Sequence, residues 1–140
     1  VKAINTGTSD GFGASLAVSG DTLLVGAIGE ASAADGVNGN PFDDSAPFAG
    51  AAYVYVDGGA GWLPQAYLKA SNSDGTDLFG WSVALEGERA VVGAIWEGSD
   101  STGVGGDQSV ASPTYRGGAA YVFERSGVLW SQSAYVKASN

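Results

Sequence analysis

Phe12-Gly13-Ala14-Ser15-Leu16-Ala17-Val18 returns as Phe79-Gly80-Trp81-Ser82-Val83-Ala84-Leu85, and Val25-Gly26-Ala27-Ile28 returns as Val92-Gly93-Ala94-Ile95, both 67 positions further on. Working outward, Gly50-Ala51-Ala52-Tyr53-Val54-Tyr55 returns as Gly118-Ala119-Ala120-Tyr121-Val122-Phe123. Trp62 with Ala66-Tyr67-Leu68-Lys69-Ala70-Ser71-Asn72 returns as Trp130 with Ala134-Tyr135-Val136-Lys137-Ala138-Ser139-Asn140, now at a spacing of 68, so the long loop between gains one residue. Self-similarity at such a period marks a repeat architecture. The units run over 1–72 and 73–140. Val1-Lys2-Ala3 matches Leu68-Lys69-Ala70, so residues 1–4 are expected to be the tail of a preceding unit's last strand.

Each unit reads as four short strands. Residues 12–18 alternate larger apolar residues with small or polar ones, a Ser19-Gly20-Asp21-Thr22 corner follows, and 22–28 is an apolar run of strand length. The long Gly/Asp/Ser/Ala stretch 29–49 leads to strands at 50–56 and 62–70. The second unit repeats the plan at 79–85, 89–95, 118–124 and 130–138, with its corner at Glu86-Gly87-Glu88-Arg89 and its long loop at 96–117. No window sustains helical periodicity. The fold class is all-β: two four-stranded antiparallel blades of the β-propeller type, taken from a longer or oligomeric array, because two such sheets alone leave apolar faces and edges uncovered. An open stack of units along a fibre is the other arrangement that would cover them.

Phe-Gly-x-Ser, then Val-Gly-Ala, then Gly-Ala-x-Tyr-Val, in that order in both units, resembles the FG-GAP repeat of integrin α-subunit propellers and their bacterial extracellular relatives. The resemblance implies an extracellular or cell-surface module acting in adhesion. It does not carry over the family's acidic calcium loop, because the corners between first and second strands here are Ser19-Gly20-Asp21-Thr22 and Glu86-Gly87-Glu88-Arg89.

Of 140 residues, 15 are Asp or Glu and 6 are Lys or Arg, a net charge of −9 that repels phosphate, so no nucleic-acid partner is expected. No apolar run is long enough for a membrane span and no basic-then-apolar leader opens the chain. In a four-stranded meander, turns alternate between the two ends. Asp10, Glu30, Asp35, Asp43, Asp44, Asp74, Asp77, Glu97, Asp100 and Asp107 therefore fall on one edge, ten of the fifteen acids, against Arg116 and the strand-end Lys2, Lys69 and Lys137. Calcium is the cofactor such an edge suggests, since it takes six to eight oxygens from flexible loops. Its candidate ligands are Asp35, Asn38, Asn40 and Asp43 in the first long loop, Asp74 and Asp77 with Asn72 between the units, and Asp100 and Asp107 with Glu97 in the second long loop. The competing reading is that these are solvated carboxylates and Asx-turn formers.

Trp62 and Trp130 recur at equivalent places and are expected to cover a blade edge or pack against a neighbouring blade; Tyr53 and Tyr121 are expected in the core. Trp81 and Trp96 break the repeat, their equivalents being Ala14 and Gly29. Trp81 is read as filling the space between units. Trp96, with Arg116, is the candidate ligand-binding pair. Cys, His and Met are absent, which removes thiolate and imidazole chemistry. Asp74 and Asp77 as an acid–base pair are outweighed by their reading as turn residues, and Gly103-Val104-Gly105-Gly106 lacks the strand-to-helix setting of a dinucleotide site. The expectation is a non-enzymatic module whose partners are further repeats or copies of the chain and protein or glycan ligands at a cell surface. A self-assembling filament repeat and a carbohydrate-binding propeller are the alternatives.

Overall fold

A computed structural model describes residues 1–109, 112 and 116–139. Its elements are β1 (Phe12–Ser19), β2 (Thr22–Ala27), β3 (Ala51–Asp57), β4 (Trp62–Leu68), β5 (Phe79–Glu86), β6 (Arg89–Ala94), β7 (Ala119–Ser126) and β8 (Leu129–Val136). They form two separate four-stranded antiparallel meanders, β1-β2-β3-β4 and β5-β6-β7-β8. Two-residue hairpin loops begin with Gly20, Gly87 and Gly127, at φ of 57°, 52° and 64°, a conformation that costs glycine little. Among the described residues no helix is present, and no helix is long and apolar enough to cross a membrane.

The repeated sequence motifs are the residues that let one sheet lie on the other. The pairing of β1 with β2 slips between Phe12 and Ser15, and that of β5 with β6 slips identically between Phe79 and Ser82. A bulge therefore falls on the glycine of each Phe-Gly pair, Gly13 at φ 95° and Gly80 at φ 90°. At Gly80 the bulged backbone is pressed against the first sheet. A Cβ there would stand 3.2 Å from the Ala27 nitrogen and closer still to the Ala51 carbonyl oxygen. A Cβ on Gly26 would lie 3.1 Å from the Gly80 carbonyl carbon, and one on Gly50 would be 2.7 Å from the Phe79 nitrogen. Gly50 also bridges Phe79 in parallel, and the Ser15 hydroxyl donates to the Gly80 carbonyl at 2.7 Å. The Phe-Gly, Val-Gly-Ala and Gly-Ala motifs are thus two sides of one backbone-to-backbone contact.

Behind this contact lies the main core. Leu24, Ala52, Val54, Ala66 and Leu68 of the first sheet meet Phe79, Val92, Tyr121, Phe123, Trp130 and Tyr135 of the second. The rings of Phe79 and Tyr121 meet edge to face at 5.3 Å. A second cluster, Val25, Ala27, Ala51, Tyr53, Tyr55 and Tyr67 with Ala3, occupies the opposite face of the first sheet, where Lys2 offers its carbonyl to the Tyr55 hydroxyl. Tyr53 and Tyr121 are core residues, as read. Trp130 packs on the first sheet and donates its indole N–H to Gln65 at 2.8 Å, while its counterpart Trp62 is partly exposed. Trp81 does not fill the space between the sheets: it follows the Gly80 bulge and lies exposed, as does its counterpart Ala14.

Candidate functional site

The edge carrying the long loops and the inter-unit connection is organised around two buried polar networks, one per unit. Lys69 donates to Glu30 at 3.0 Å, and Lys137 pairs with Glu97 in the same way. Both carboxylates also accept an amide: Asn5 Nδ2 reaches Glu30 at 3.1 Å and Asn72 Nδ2 reaches Glu97 at 2.9 Å. The hydroxyls of Tyr53 and Tyr121 donate in turn to the Oδ1 of Asn5 and Asn72. Burial pushes both phenols well above their usual range, so they remain protonated donors. Burial also raises the Glu97 carboxyl, but the Lys137 ammonium and the N–H and hydroxyl of Ser99 outweigh it, and the net direction is downward. Glu97 is charged and fully spoken for.

These four residues were expected on the surface, Glu30 and Glu97 among the acids of the edge and Lys69 and Lys137 as their dispersed counterweights. Instead they are buried, with Lys69 and Glu30 at 0% and 1% exposure. The networks brace the loops, since the Glu30 and Glu97 carbonyls accept the N–H of Gly50 and Gly118, where each long loop re-enters its sheet. A signal for this was present in the sequence. Among loop acids, Glu30 and Glu97 recur in register, as do Asn5 with Asn72 and Lys69 with Lys137, while Asp35 and Asp43 have no acidic counterparts. Exact recurrence of a polar residue inside an otherwise divergent loop points to a structural partner.

The calcium candidates are spread over the loops and are engaged within them. Asp35 accepts the Ser73 N–H at 2.8 Å, Asn38 the Tyr67 N–H at 3.0 Å, and Asn40 the Phe42 N–H at 3.1 Å. Asp43 accepts from the Ala33 N–H and the Ser45 hydroxyl, which hold its carboxyl below the usual range. Asp107 is held down similarly by the hydroxyl and N–H of Ser109. Asp100 is exposed. Among the described residues no group of three or more acidic side chains converges as it would around a metal ion.

Asp74 and Asp77 differ sharply. Asp74 is exposed, while Asp77 is buried and accepts the Asp74 N–H at 3.2 Å. Burial, reinforced by the charges of Asp74 and Glu97, pushes the Asp77 carboxyl up to about 7. Because its folded pKa lies above its unfolded value, the native state binds the extra proton between about pH 4 and 7, and stability falls as pH rises through that window. Asp77→Asn is therefore expected to melt higher than the parent at pH 8 and to lose that advantage at pH 5, as followed by circular dichroism.

Trp96 and Arg116 are brought together. The Arg116 guanidinium lies 4.5 Å from the centroid of the Trp96 ring, and both side chains are exposed. The braced network supports both: Trp96 precedes the buried Glu97 and donates its N–H to the Asp77 carbonyl at 3.2 Å, and Arg116 sits two residues before Gly118. The second long loop is described at Gly98–Ser109, Ser112 and Arg116–Gly118. What this edge offers chemically is a cation on an aromatic face, with exposed carboxylates on the loops of the same edge.

The comparisons with known proteins agree with the strand motifs. The family described as the FG-GAP repeat matches residues 62–123. That span covers β4 of the first sheet and β5, β6 and most of β7 of the second. No curated protein and no solved structure matches the chain.

Proposed function

With residues 62–123 an FG-GAP repeat, we propose that the chain is a non-enzymatic extracellular repeat module that meets its partners, in adhesion or surface assembly, through the acidic loop edge. The observation that carries this reading is the exposed Trp96–Arg116 pair, held on a buried ionic brace and standing where the other unit has Gly29 and Phe48. A side chain that departs from the repeat while its support keeps to it is free for recognition, and rigid strands presenting variable loops are the usual way such scaffolds bind. Asp74, Asp100 and Asp107, exposed on the loops of the same edge, keep it negative, favouring a basic partner surface.

Binding of an Arg/Lys-rich peptide to the immobilised chain is expected to weaken with salt, as exposed charges are screened. The combined substitution Trp96→Ala, Asp100→Asn and Asp107→Asn is expected to reduce it at least about tenfold. Binding that survives both unchanged would refute the loop edge as the contact surface. A second reading, a carbohydrate platform, is favoured by the Trp96 ring with a guanidinium beside it; glycan-array signals abolished by Trp96→Ala would select it over the first.

Calcium enters this reading as a counter-ion of the loop edge, since its candidate ligands are dispersed. Added to chelator-treated protein, it is expected to raise the melting temperature no more than magnesium at equal concentration. A calcium-specific rise would instead indicate loops that close around the ion.

A further inference from the structure

The two buried networks hold a constellation that bracing alone does not require. In each unit one carboxylate holds an amine and a carboxamide at once. Glu97 accepts from Lys137 Nζ on Oε2 and from Asn72 Nδ2 on Oε1, the latter at 2.9 Å. Glu30 does the same for Lys69 at 3.0 Å and Asn5 at 3.1 Å. The carbonyl oxygen of the same carboxamide accepts a phenol O–H, from Tyr121 at 2.7 Å and from Tyr53 at 2.8 Å. Both lysines, both glutamates and both tyrosines are buried, and the asparagines are half-buried. A nucleophilic amine, an amide carbon, a base bonded to both nitrogens and a donor on the oxygen where charge develops are the parts of an amide exchange.

We propose that Lys137 and Asn72 join in an isopeptide bond, and Lys69 and Asn5 in another, each releasing ammonia. Glu97 takes a proton from the Lys137 ammonium. The Nζ lone pair so freed forms a bond to Asn72 Cγ while the C=O electron pair moves onto Oδ1, where the Tyr121 hydroxyl stabilises it. Glu97 passes the proton to Nδ2, which its other oxygen already holds. The carbonyl re-forms, the Cγ–Nδ2 bond breaks and ammonia leaves, while Nζ gives up a second proton to Glu97. An ion pair and a carboxamide thus become a carboxylic acid, a secondary amide and ammonia, with nothing oxidised or reduced. The first unit follows the same course with Glu30 and Tyr53. Burial draws the Lys69 ammonium below its usual range against the opposing charge of Glu30, which eases the first transfer. Burial also keeps away water that would compete with the amine. Each bond would tie the segment that leads into a sheet, at Asn5 or Asn72, to the residue just past its closing strand, β4 or β8. The proposal does not depend on the loop edge being a binding surface.

Intact-mass spectrometry of the purified, denatured chain tests it. The parent is expected to be about 34 Da lighter than its sequence, the mass of two ammonia molecules. Trypsin is expected to leave Lys69 and Lys137 uncut and to yield peptides in which Asn72 is joined to Lys137 and Asn5 to Lys69. Tyr121→Phe keeps amine, amide and base, and is expected to slow the second bond by about tenfold or more, seen as freshly made chain still about 17 Da heavier than the parent. Lys137→Arg keeps the cation without a nucleophilic amine and is expected to lose one ammonia only. A parent with the mass of its sequence would overturn the proposal. So would a lighter parent whose tryptic map holds no joined peptides, the result of a cyclic imide at asparagine. One ammonia lost, mapped to one pair, would support the step there and overturn it in the other unit. Folded Lys137→Arg with the full parental loss would overturn the assignment of the second bond.

Discussion

Glu97→Gln is expected to destabilise the fold by about 3–5 kcal/mol, because it takes away the carboxylate with which the buried Lys137 ammonium is ion-paired. In urea unfolding this appears as a lower midpoint, and in thermal unfolding as a fall of roughly ten degrees or more. Asn72 and Ser99 both donate to this carboxylate, so the inter-unit connection and the base of the long loop should loosen together. Removing both charges, with Glu97→Leu and Lys137→Met, is expected to be less damaging than Glu97→Gln alone, since an apolar pair of similar volume leaves no stranded ion. A Glu97→Gln protein within about 1 kcal/mol of the parent would mean that water reaches Lys137.

Gly26→Ala is expected to cost about 3 kcal/mol or more, whereas the same change at the repeat-equivalent Gly93 should cost far less. Both glycines belong to a Val-Gly-Ala motif in the second strand of a sheet, so strand propensity does not separate them. What separates them is the neighbour. At Gly26 an added methyl group meets the Gly80 backbone, which cannot yield without lifting β5 off the first sheet and opening the cluster of Leu24, Val54, Phe79 and Phe123. At Gly93 it meets the Ser82 side chain, which can rotate away. Equal losses at the two positions in urea titrations would show that the inter-sheet approach is looser than the structure gives it.

The strand plan was legible in the sequence to within a residue or two, because alternation in β1 and β5, apolar runs in β2 and β6, and two-residue glycine corners all act locally. None of the four ladder slips was legible. Each fourth strand fits one extra residue between Ala66 and Pro64, or between Ala134 and Gln132, and nothing in the composition announces such a bulge. The role of the glycines was legible only as recurrence. That Gly26 and Gly80 touch across two sheets is a tertiary fact, invisible to any window of one strand.

The site was less legible than the fold, for a specific reason. The edge on which Glu30 and Glu97 lie follows from strand parity, but whether a loop carboxylate points out or in depends on the loop's path. Asp100 and Asp107 lie on loop surface, whereas Glu97, three residues before Asp100, turns inward to Lys137. Trp96 and Arg116, twenty residues apart at opposite ends of the second long loop, meet because β6 and β7 are paired neighbours and bring those ends together.

The span of the FG-GAP match, beginning at Trp62, runs out of step with the sheets: it finishes one and starts the next. A gene duplication in that frame would deliver the closing strand of its predecessor along with three strands of its own. Every added copy would then be stitched to the one before it by main-chain hydrogen bonds as well as by side-chain packing. Arrays lengthened in this way resist being pulled apart at the joints, which are the places where a string of self-contained modules is weakest.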